Sequence, residues 1–204
     1  MICFTPFFLP LALVMRCTGE GKIFYRQQRV GLEGKNFGLL KFATMLEDSR
    51  DMAGGDITAG NDSRVLPLGH FLRKTKINEL PQLWNIFIGD ISLVGPRPLT
   101  PRNFAFYSDE IQNVLHEIIP GLTGIGSIVF RDEESIIAVS PKPTIDCYKE
   151  DIVPYKGELE RWYSKHRGIG VDLKLIFLTA WAISFPRSRL VHRFFPSLPP
   201  NPSA

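Results

Sequence analysis

Cysteine and histidine, the usual ligands of a structural metal, are scarce and scattered in this chain. The three cysteines, Cys3, Cys17 and Cys147, lie far apart, and the four histidines show no metal-ligand spacing. No Cys-x-x-Cys or Cys-x-x-His pair is present, which argues against a zinc site. A few unpaired cysteines are typical of a protein from a reducing cytoplasm.

The sequence also lacks an apolar run long enough to cross a bilayer, which needs ~20 residues. The first apolar segment, residues 2–15, has no positive region before it and no cleavage site, so it does not fit a signal peptide. Pro6 and Pro10 should break a simple helix there. Two interpretations stay open: a buried core helix, or part of a re-entrant element that enters the membrane and returns. The second segment, residues 173–185, suits an interfacial helix with Trp181 at the boundary, or a core helix.

A strong net charge is missing as well, because the formal net charge is only +3. This modest charge argues against a nucleic-acid-binding protein. The basic residues are nevertheless clustered, and such clusters suit phosphate groups or an anionic membrane surface. A solvated face is the alternative. The two clusters are Lys22, Arg26, Arg29, Lys35 and Lys41, and then Arg73, Lys74 and Lys76.

No nucleotide-binding glycine motif, internal repeat or second domain is evident in the 204 residues. The Gly-rich stretch at 120–129 lacks Walker or Rossmann spacing and predicts a loop. Alternating residues around the turn glycines Gly31 and Gly34 predict a β-hairpin at about 22–44. Helical spacing elsewhere predicts an α/β (α+β) fold: a single, mostly helical domain with a small antiparallel hairpin and apolar elements near both ends.

Several smaller elements are also predicted from local pattern. Residues 46–64 are polar and Gly-rich and predict a mobile surface loop. Helices are predicted at 108–118 and 156–166, and Asp172 should cap the apolar helix that follows it. Near the end, basic residues alternate with Leu190, Val191, Phe194 and Phe195, which favours a membrane surface. The final residues, 196–204, are predicted to be disordered.

The stretch from residue 70 to 90 carries the clearest site signal. Apolar residues at helical spacing, with Pro81 tolerated in a first turn, predict a helix from Asn78 to about Ile88. Asn78 would be its N-cap and Glu79 would lie in its first turn. The free N–H groups of that helix end would form an anion site.

A short apolar strand then leads into Gly95-Pro96-Arg97-Pro98. The prolines would hold Arg97 on a rigid, extended backbone, which suits a guanidinium that binds phosphate. A plain turn with a solvent-facing arginine is the alternative.

These segments resemble the bacterial sugar transferase family, the monotopic phosphoglycosyl transferases. The motifs that carry the resemblance occur in the order FYRQQRVG, LLKFATM, NDSRVLPLGHFLRKTKINELPQLWNIFIGDISLVGPRPL and IPGLTGIGS. The resemblance covers roughly residues 4–185. It divides the chain into a partial membrane re-entrant or anchor segment at 1–16, a catalytic domain at 17–186 and a basic-aromatic, then Pro-rich tail at 187–204.

The resemblance implies a function at the cytoplasmic face of the bacterial inner membrane. The family transfers a sugar-1-phosphate from a UDP-sugar to a polyprenyl phosphate such as undecaprenyl phosphate, releases UMP and requires Mg²⁺. This is the first membrane step of exopolysaccharide, O-antigen, capsule or other glycan synthesis, and lipopolysaccharide is one such product. The resemblance does not decide whether the protein forms a homo-oligomer or binds other proteins of polysaccharide assembly. A catalytically inactive membrane-surface adaptor is the alternative function.

The resemblance also assigns site residues. Asn78 and Glu79 occupy the catalytic pair, with Glu79 as the metal ligand, and Thr5-Pro6 matches the break of the membrane hairpin. The remaining positions are predicted to bind phosphate: Arg97, Arg73, Lys74, Lys41, Arg64 and Arg131.

This chain departs from the family pattern at the catalytic pair, where Asn78 replaces an aspartate. It also has Ala43 in place of an arginine and Ile125 in place of a tryptophan, and it begins within the expected membrane hairpin. An amide is a poor nucleophile and a weak magnesium ligand. Three mechanisms stay open: Glu79 acts as nucleophile or metal ligand, the lipid phosphate attacks the UDP-sugar directly, or the protein is inactive and scaffolds an assembly.

Overall fold

The computed structural model describes residues 5–50, 52, 57, 62–185, 188 and 190–200. Within these residues helices predominate, and two small sheets lie among them. The helices are α1 (Thr5–Cys17), α2 (Pro67–Lys74), α3 (Gln82–Phe87), α4 (Pro101–Phe104), α5 (Asp109–His116), α6 (Ile125–Val129), α7 (Glu133–Val139), α8 (Thr144–Cys147), α9 (Val153–His166), α10 (Ile169–Ser184) and α11 (Leu190–Phe194). The strands are β1 (Phe24–Val30), β2 (Asn36–Phe42), β3 (Ser92–Val94) and β4 (Gly121–Thr123).

The predicted hairpin is confirmed. Strands β1 and β2 pair antiparallel, with Phe24 opposite Phe42 and Val30 opposite Asn36. The turn between them contains Gly34 at φ 73°, a left-handed conformation that glycine adopts at little cost. The end of β1 is tied to the chain after Arg97, because the Val30 amide donates to the Leu99 carbonyl at 2.9 Å. The hairpin and the Arg97 corner therefore form one frame.

The second sheet was not predicted. Strands β3 and β4 pair in parallel, so the glycine-rich stretch at 120–129 is a strand and a short helix where the sequence predicted a loop. Three glycines bring the backbones together: a Cβ on Gly121 would lie 2.1 Å from the Gly95 nitrogen, and one on Gly124 would lie 2.1 Å from the Gly95 oxygen. Only residues without a side chain permit this approach.

Two large apolar clusters form the core. One packs α9, α10 and α11 around Leu159, Leu175 and Ile125, and the other packs α5 and the start of α9 around Ile111 and Ile152. A smaller third cluster joins Met15, Phe42 and Leu72. The predicted helices at 108–118 and 156–166 are confirmed as α5 and α9.

The two apolar segments are both helical. Helix α1 continues through Pro10, so the prediction that the prolines break it is wrong; one proline removes a single hydrogen bond from a 13-residue helix. Helix α10 buries Leu175 and exposes Leu173 on its other side. It begins at Ile169, so Asp172 lies in its first turn and accepts a hydrogen bond from the Tyr163 hydroxyl at 2.9 Å instead of capping. No helix in the described part of the chain is long and apolar enough to cross a membrane.

Both the stretch predicted to be mobile and the tail contain buried residues. In the stretch 46–64, Ile57 is buried in the core and Arg64 is 3% exposed. In the tail, Val191 and Phe195 are buried, so these two side chains are not available to a membrane surface. Further along the tail, the Tyr155 hydroxyl of α9 donates to the Pro199 carbonyl at 2.9 Å. The predicted disorder is therefore wrong for residues 196–200, because this stretch is bound to α9. The rest of that prediction, residues 201–204, lies outside the described residues.

Glu160 is a buried carboxyl in the middle of α9. Burial raises its pKa to about 7, although Lys156 and the Gly126 backbone N–H both oppose the shift. This folded-state pKa lies above the ordinary value of 4.5, so protonation of Glu160 stabilises the folded protein. That contribution to the free energy of unfolding is complete below about pH 4.5 and is lost as the pH rises through 7.

Glu160→Gln should remove this pH dependence, because an amide resembles the protonated carboxyl. At pH 8 the variant should be more stable than the wild type by about 3 kcal/mol, at 1.36 kcal/mol per pKa unit. Urea unfolding at pH 5 and pH 8 measures the difference. Glu158→Gln, a half-exposed glutamate on the same helix, is the matched control. A pH profile unchanged in Glu160→Gln would contradict the assignment.

Candidate active site

A cavity of about 320 Å³ opens between the hairpin, the chain around Asn78, the Arg97 corner and helices α7 and α9. Among the described residues, seven cationic side chains line it against four carboxylates, so its surface is positive. The cations are Lys22, Arg26, Arg29, Lys41, Arg73, Arg97 and Lys156, and the acids are Glu20, Glu47, Glu133 and Glu134. A concave, cation-rich surface of this kind concentrates polyanions.

The corner at Arg97 is held from both sides. On one side, the Gly121 amide donates to the Pro96 carbonyl at 2.8 Å and the Gly95 amide donates to the Thr123 carbonyl at 2.9 Å. On the other, Arg29 Nη1 donates to the Pro98 carbonyl at 2.9 Å. Hydrogen bonds therefore hold the corner on both sides, and the Arg97 side chain lines the cavity; phosphate binding by Arg97 stays a prediction.

Asn78 and Glu79 lie in a single helical turn, Ile77–Glu79, which comes before α3. Helix α3 has six residues and follows Pro81, so Asn78 is not its N-cap and the predicted anion site at that helix end is not formed. Asn78 lines the cavity and is 7% exposed. Its Oδ1 atom is buried and has no hydrogen-bond partner among the described residues.

Glu79 forms an ion pair with Arg97, with 2.9 Å between Oε1 and Nη2. Burial of Glu79 opposes its ionisation, but Arg97, Lys41 and Lys76 outweigh burial and lower its pKa to about 2. Glu79 in turn raises the pKa of Arg97. Both groups are therefore charged at neutral pH, and the carboxylate fixes the guanidinium at the edge of the cavity.

Lys41 shows the positive character of the cavity most clearly. Burial first, then the charges of Arg29 and Arg97, hold the pKa of Lys41 well below its usual range, although Glu79 opposes the shift. A bound anion would supply the missing opposite charge and raise this pKa. The predicted phosphate-binding position of Lys41 is thus consistent with its surroundings.

The buried Asn85 connects the turn to the hairpin. Its Oδ1 accepts from the Leu40 amide at 2.9 Å, and its Nδ2 donates to the Gly38 carbonyl at 3.0 Å and to Asp90 at 2.9 Å. The side chain replaces hydrogen bonds at the open edge of β2, so it fixes α3, and the turn before it, beside Lys41. Helical spacing alone could not identify this function.

Lys76 holds the left-handed conformation, with φ 60° and ψ 10°, immediately before the turn. Lys76→Gly and Lys76→Ala remove the same charge but differ at the backbone. The glycine variant should be the more stable by about 1 kcal/mol, since a Cβ is unfavourable in this conformation. Urea unfolding of the two variants measures this difference in stability. A more stable alanine variant in urea unfolding would contradict the strained conformation.

The other predicted phosphate-binding residues lie in different places. Arg73 lines the cavity and pairs with Glu134. Lys74 is exposed, and neither it nor Arg131 is part of the lining. A buried Arg131 nitrogen, Nη1, has no hydrogen-bond partner in the described part of the chain.

Arg64 was predicted to bind phosphate, but the structure gives it a structural role. Its guanidinium binds Asp62 and donates to the carbonyls of Ser49 at 2.7 Å and Ile57 at 2.9 Å. These bonds join Arg64 to Ser49, Ile57 and Asp62, and they occupy the donors that a phosphate would need. Arg64 therefore supports a wall of the cavity without binding inside it.

Sequence reasoning missed Lys156, which lies far from the recognised motifs. It lines the cavity from α9, forms an ion pair with Glu133, and its Nζ lies 5.8 Å from the ring centres of Phe130 and Tyr148. The sequence did not distinguish it, because Lys156 is one of several charged residues in this helix and only the fold shows that it is buried.

The donors at the turn fit a magnesium ion that receives most of its ligands from phosphates and water. Glu79 supplies a carboxylate, and the unpartnered Asn78 Oδ1 is a buried oxygen. Within the described ranges no group of three or more His, Cys, Asp or Glu residues could hold a metal by itself. A magnesium site here would therefore depend on the substrate.

The sequence profile of bacterial sugar transferases matches residues 1–186. The uncharacterized sugar transferase EpsL of Bacillus subtilis (strain 168) is 36% identical over 179 residues, which cover 88% of this chain and 78% of that protein. The UDP-glucose:undecaprenyl-phosphate glucose-1-phosphate transferase of Klebsiella pneumoniae is 33% identical over 89% of this chain. The undecaprenyl-phosphate galactose phosphotransferase of Salmonella typhimurium is 31% identical over 78% of this chain. The chain spans only 37% and 33% of the length of the last two.

Proposed function

Because the chain belongs to the bacterial sugar transferase family, we propose that it transfers a sugar-1-phosphate from a UDP-sugar to a polyprenyl phosphate and releases UMP. Relatives named for this reaction on UDP-glucose and undecaprenyl phosphate support the proposal. The observation that carries it is the cation-lined cavity at the Arg97 corner. Phosphoryl transfer depends mainly on positioning and on neutralisation of phosphate charge, and this cavity supplies groups for both.

In the proposed reaction the phosphate oxygen of the lipid attacks the sugar-bearing phosphorus of the UDP-sugar. A new phosphorus–oxygen bond forms, the bond from that phosphorus to the bridging oxygen breaks, and the bridging oxygen leaves with UMP. The product is a polyprenyl diphosphate sugar. Arg97, Lys41 and Arg73 would bind the phosphates, and negative charge that develops on the leaving UMP would be stabilised by the same cations.

The residues favour direct attack by the lipid over a covalent intermediate. Asn78, which lines the cavity, carries an amide and not a nucleophile. Glu79 is ionised, but its Oε1 is paired with Arg97, which weakens the carboxylate as a nucleophile. We therefore assign Glu79 to hold Arg97 in position and, together with Asn78 Oδ1, to hold Mg²⁺. When bound, that ion would neutralise part of the phosphate charge.

A lipid acceptor places this cavity at a membrane surface. The outer side of α10 exposes large apolar groups, including Leu173, Phe177 and Trp181. Such a surface suits the headgroup region of a bilayer, where tryptophan is favoured. We propose the cytoplasmic face of the bacterial inner membrane, where nucleotide-sugars are available.

UMP release from a panel of UDP-sugars, with purified protein, undecaprenyl phosphate and Mg²⁺, tests the function. We expect UMP in proportion to lipid-linked product, and none without the lipid. Release that needs no lipid would contradict direct attack. Absence of both UMP release and UDP-sugar binding would favour the adaptor, which needs no nucleotide-sugar.

A further inference from the structure

Lys156 is unusual among the cavity cations because its side chain is only 4% exposed. A lysine so deeply buried needs an opposite charge, since an isolated buried ammonium is costly. Glu133, the first residue of α7, supplies that charge. The Glu133 side chain is 25% exposed, so this carboxylate can move into solvent more easily than the lysine can.

The same arrangement occurs at the next residue. Glu134 pairs with Arg73, and Glu133 pairs with Lys156, so two adjacent acids at the start of α7 each hold a cation of the cavity lining. Both acids also lie on the lining. A phosphate that bound either cation would therefore have to compete with the carboxylate already paired with it.

We propose that Lys156 binds a phosphate of the nucleotide-sugar, and that Glu133 holds the ammonium in place until that phosphate displaces the carboxylate. This inference rests on the proposed function. A diphosphate carries more negative charge and more acceptor oxygens than one carboxylate, so it competes successfully for the lysine. The exchange spares the empty protein an unpaired, buried positive charge.

A purely structural ion pair would behave differently. If Lys156 and Glu133 only joined α9 to α7, loss of either partner would disturb the cavity and weaken nucleotide binding. If they exchange partners with a phosphate, loss of the lysine weakens binding, whereas loss of the glutamate removes a competitor and strengthens it. The sign of the Glu133 effect therefore separates the two roles.

The test is the affinity of detergent-purified protein for UDP, measured by titration calorimetry. Lys156→Met should weaken UDP binding by ~10-fold or more, the loss expected of a charged hydrogen bond. Glu133→Gln should strengthen binding by ~3- to 10-fold, because the competing charge is gone while the side-chain shape is kept. Lys156→Arg keeps the positive charge and should retain most of the affinity for UDP. This variant also serves if Lys156→Met fails to fold.

Glu110→Gln is the matched control. Glu110 pairs with Arg161 on the surface and is not part of the lining, so UDP affinity should not change. Weaker binding in Glu133→Gln, or unchanged binding in Lys156→Met, would overturn the proposal. Wild-type protein that binds neither UDP nor a UDP-sugar would overturn the proposed function as well. Normal wild-type binding with no effect of either substitution would overturn only the assignment of Lys156.

Discussion

Arg97→Ala is expected to lower the rate of UMP release by ~10²- to 10³-fold, the loss found when one fixed donor to a developing oxyanion is removed. Two effects combine. The substrate phosphate loses a guanidinium that the corner aims at it, and Glu79, whose side chain is 12% exposed, loses the partner of its charge. Steady-state kinetics with a UDP-sugar and undecaprenyl phosphate measure the loss.

Lys74→Ala is the matched control for this prediction. Lys74 belongs to the basic cluster of Arg73, Lys74 and Lys76, but its side chain is exposed and lies outside the cavity lining. Its removal should change the rate less than about threefold, as expected for a screened surface charge. Equal, small losses in both variants would show that Arg97 belongs to a solvated face and does not bind substrate.

Asn78→Asp is expected to give the enzyme a covalent route. It places a carboxylate on the cavity lining, and a carboxylate can attack phosphorus and bind magnesium where an amide does neither well. We expect UMP release to be kept or to rise by ~10-fold, a change of about 1.4 kcal/mol in the barrier. Incubation with a UDP-sugar that is radiolabelled in the sugar, without lipid, should label the variant and not the wild type.

Glu79→Gln complements this experiment. Glu79→Gln should abolish turnover in the wild-type protein and in Asn78→Asp, because Arg97 loses the carboxylate that fixes it. Label on wild-type protein that persists in Glu79→Gln would show a nucleophile elsewhere, and label that disappears would identify Glu79. Turnover that appears only in Asn78→Asp would identify the natural chain as a silenced relative.

Parts of the fold and site could be predicted because their signals are local. Alternation around Gly31 and Gly34 specifies the hairpin, and helical periodicity specifies α5 and α9. The position of Arg97 follows from the two prolines beside it, since each fixes its own backbone. These features depend on residues within a few positions of one another.

The remaining features depend on contacts between distant parts of the chain. Strand β3 was predicted from its apolar run, but its partner β4 lies beyond the long intervening stretch 95–120, so no local pattern reveals the pairing. The packing of the tail depends on a donor that only the folded α9 presents, the Tyr155 hydroxyl that reaches the Pro199 carbonyl. Arg64 illustrates the same limit, because a buried structural arginine and a phosphate ligand look alike in sequence.

The contact of Gly95 with Gly121 and Gly124 affects which substitutions this chain can accept. On this side, the position of the Arg97 corner is determined by contacts between main chains and not by the shapes of neighbouring side chains. Substitutions that repack the surrounding core can therefore accumulate and alter stability while the guanidinium keeps its direction. Residues in the core can in this way change without changing the position of the guanidinium in the cavity.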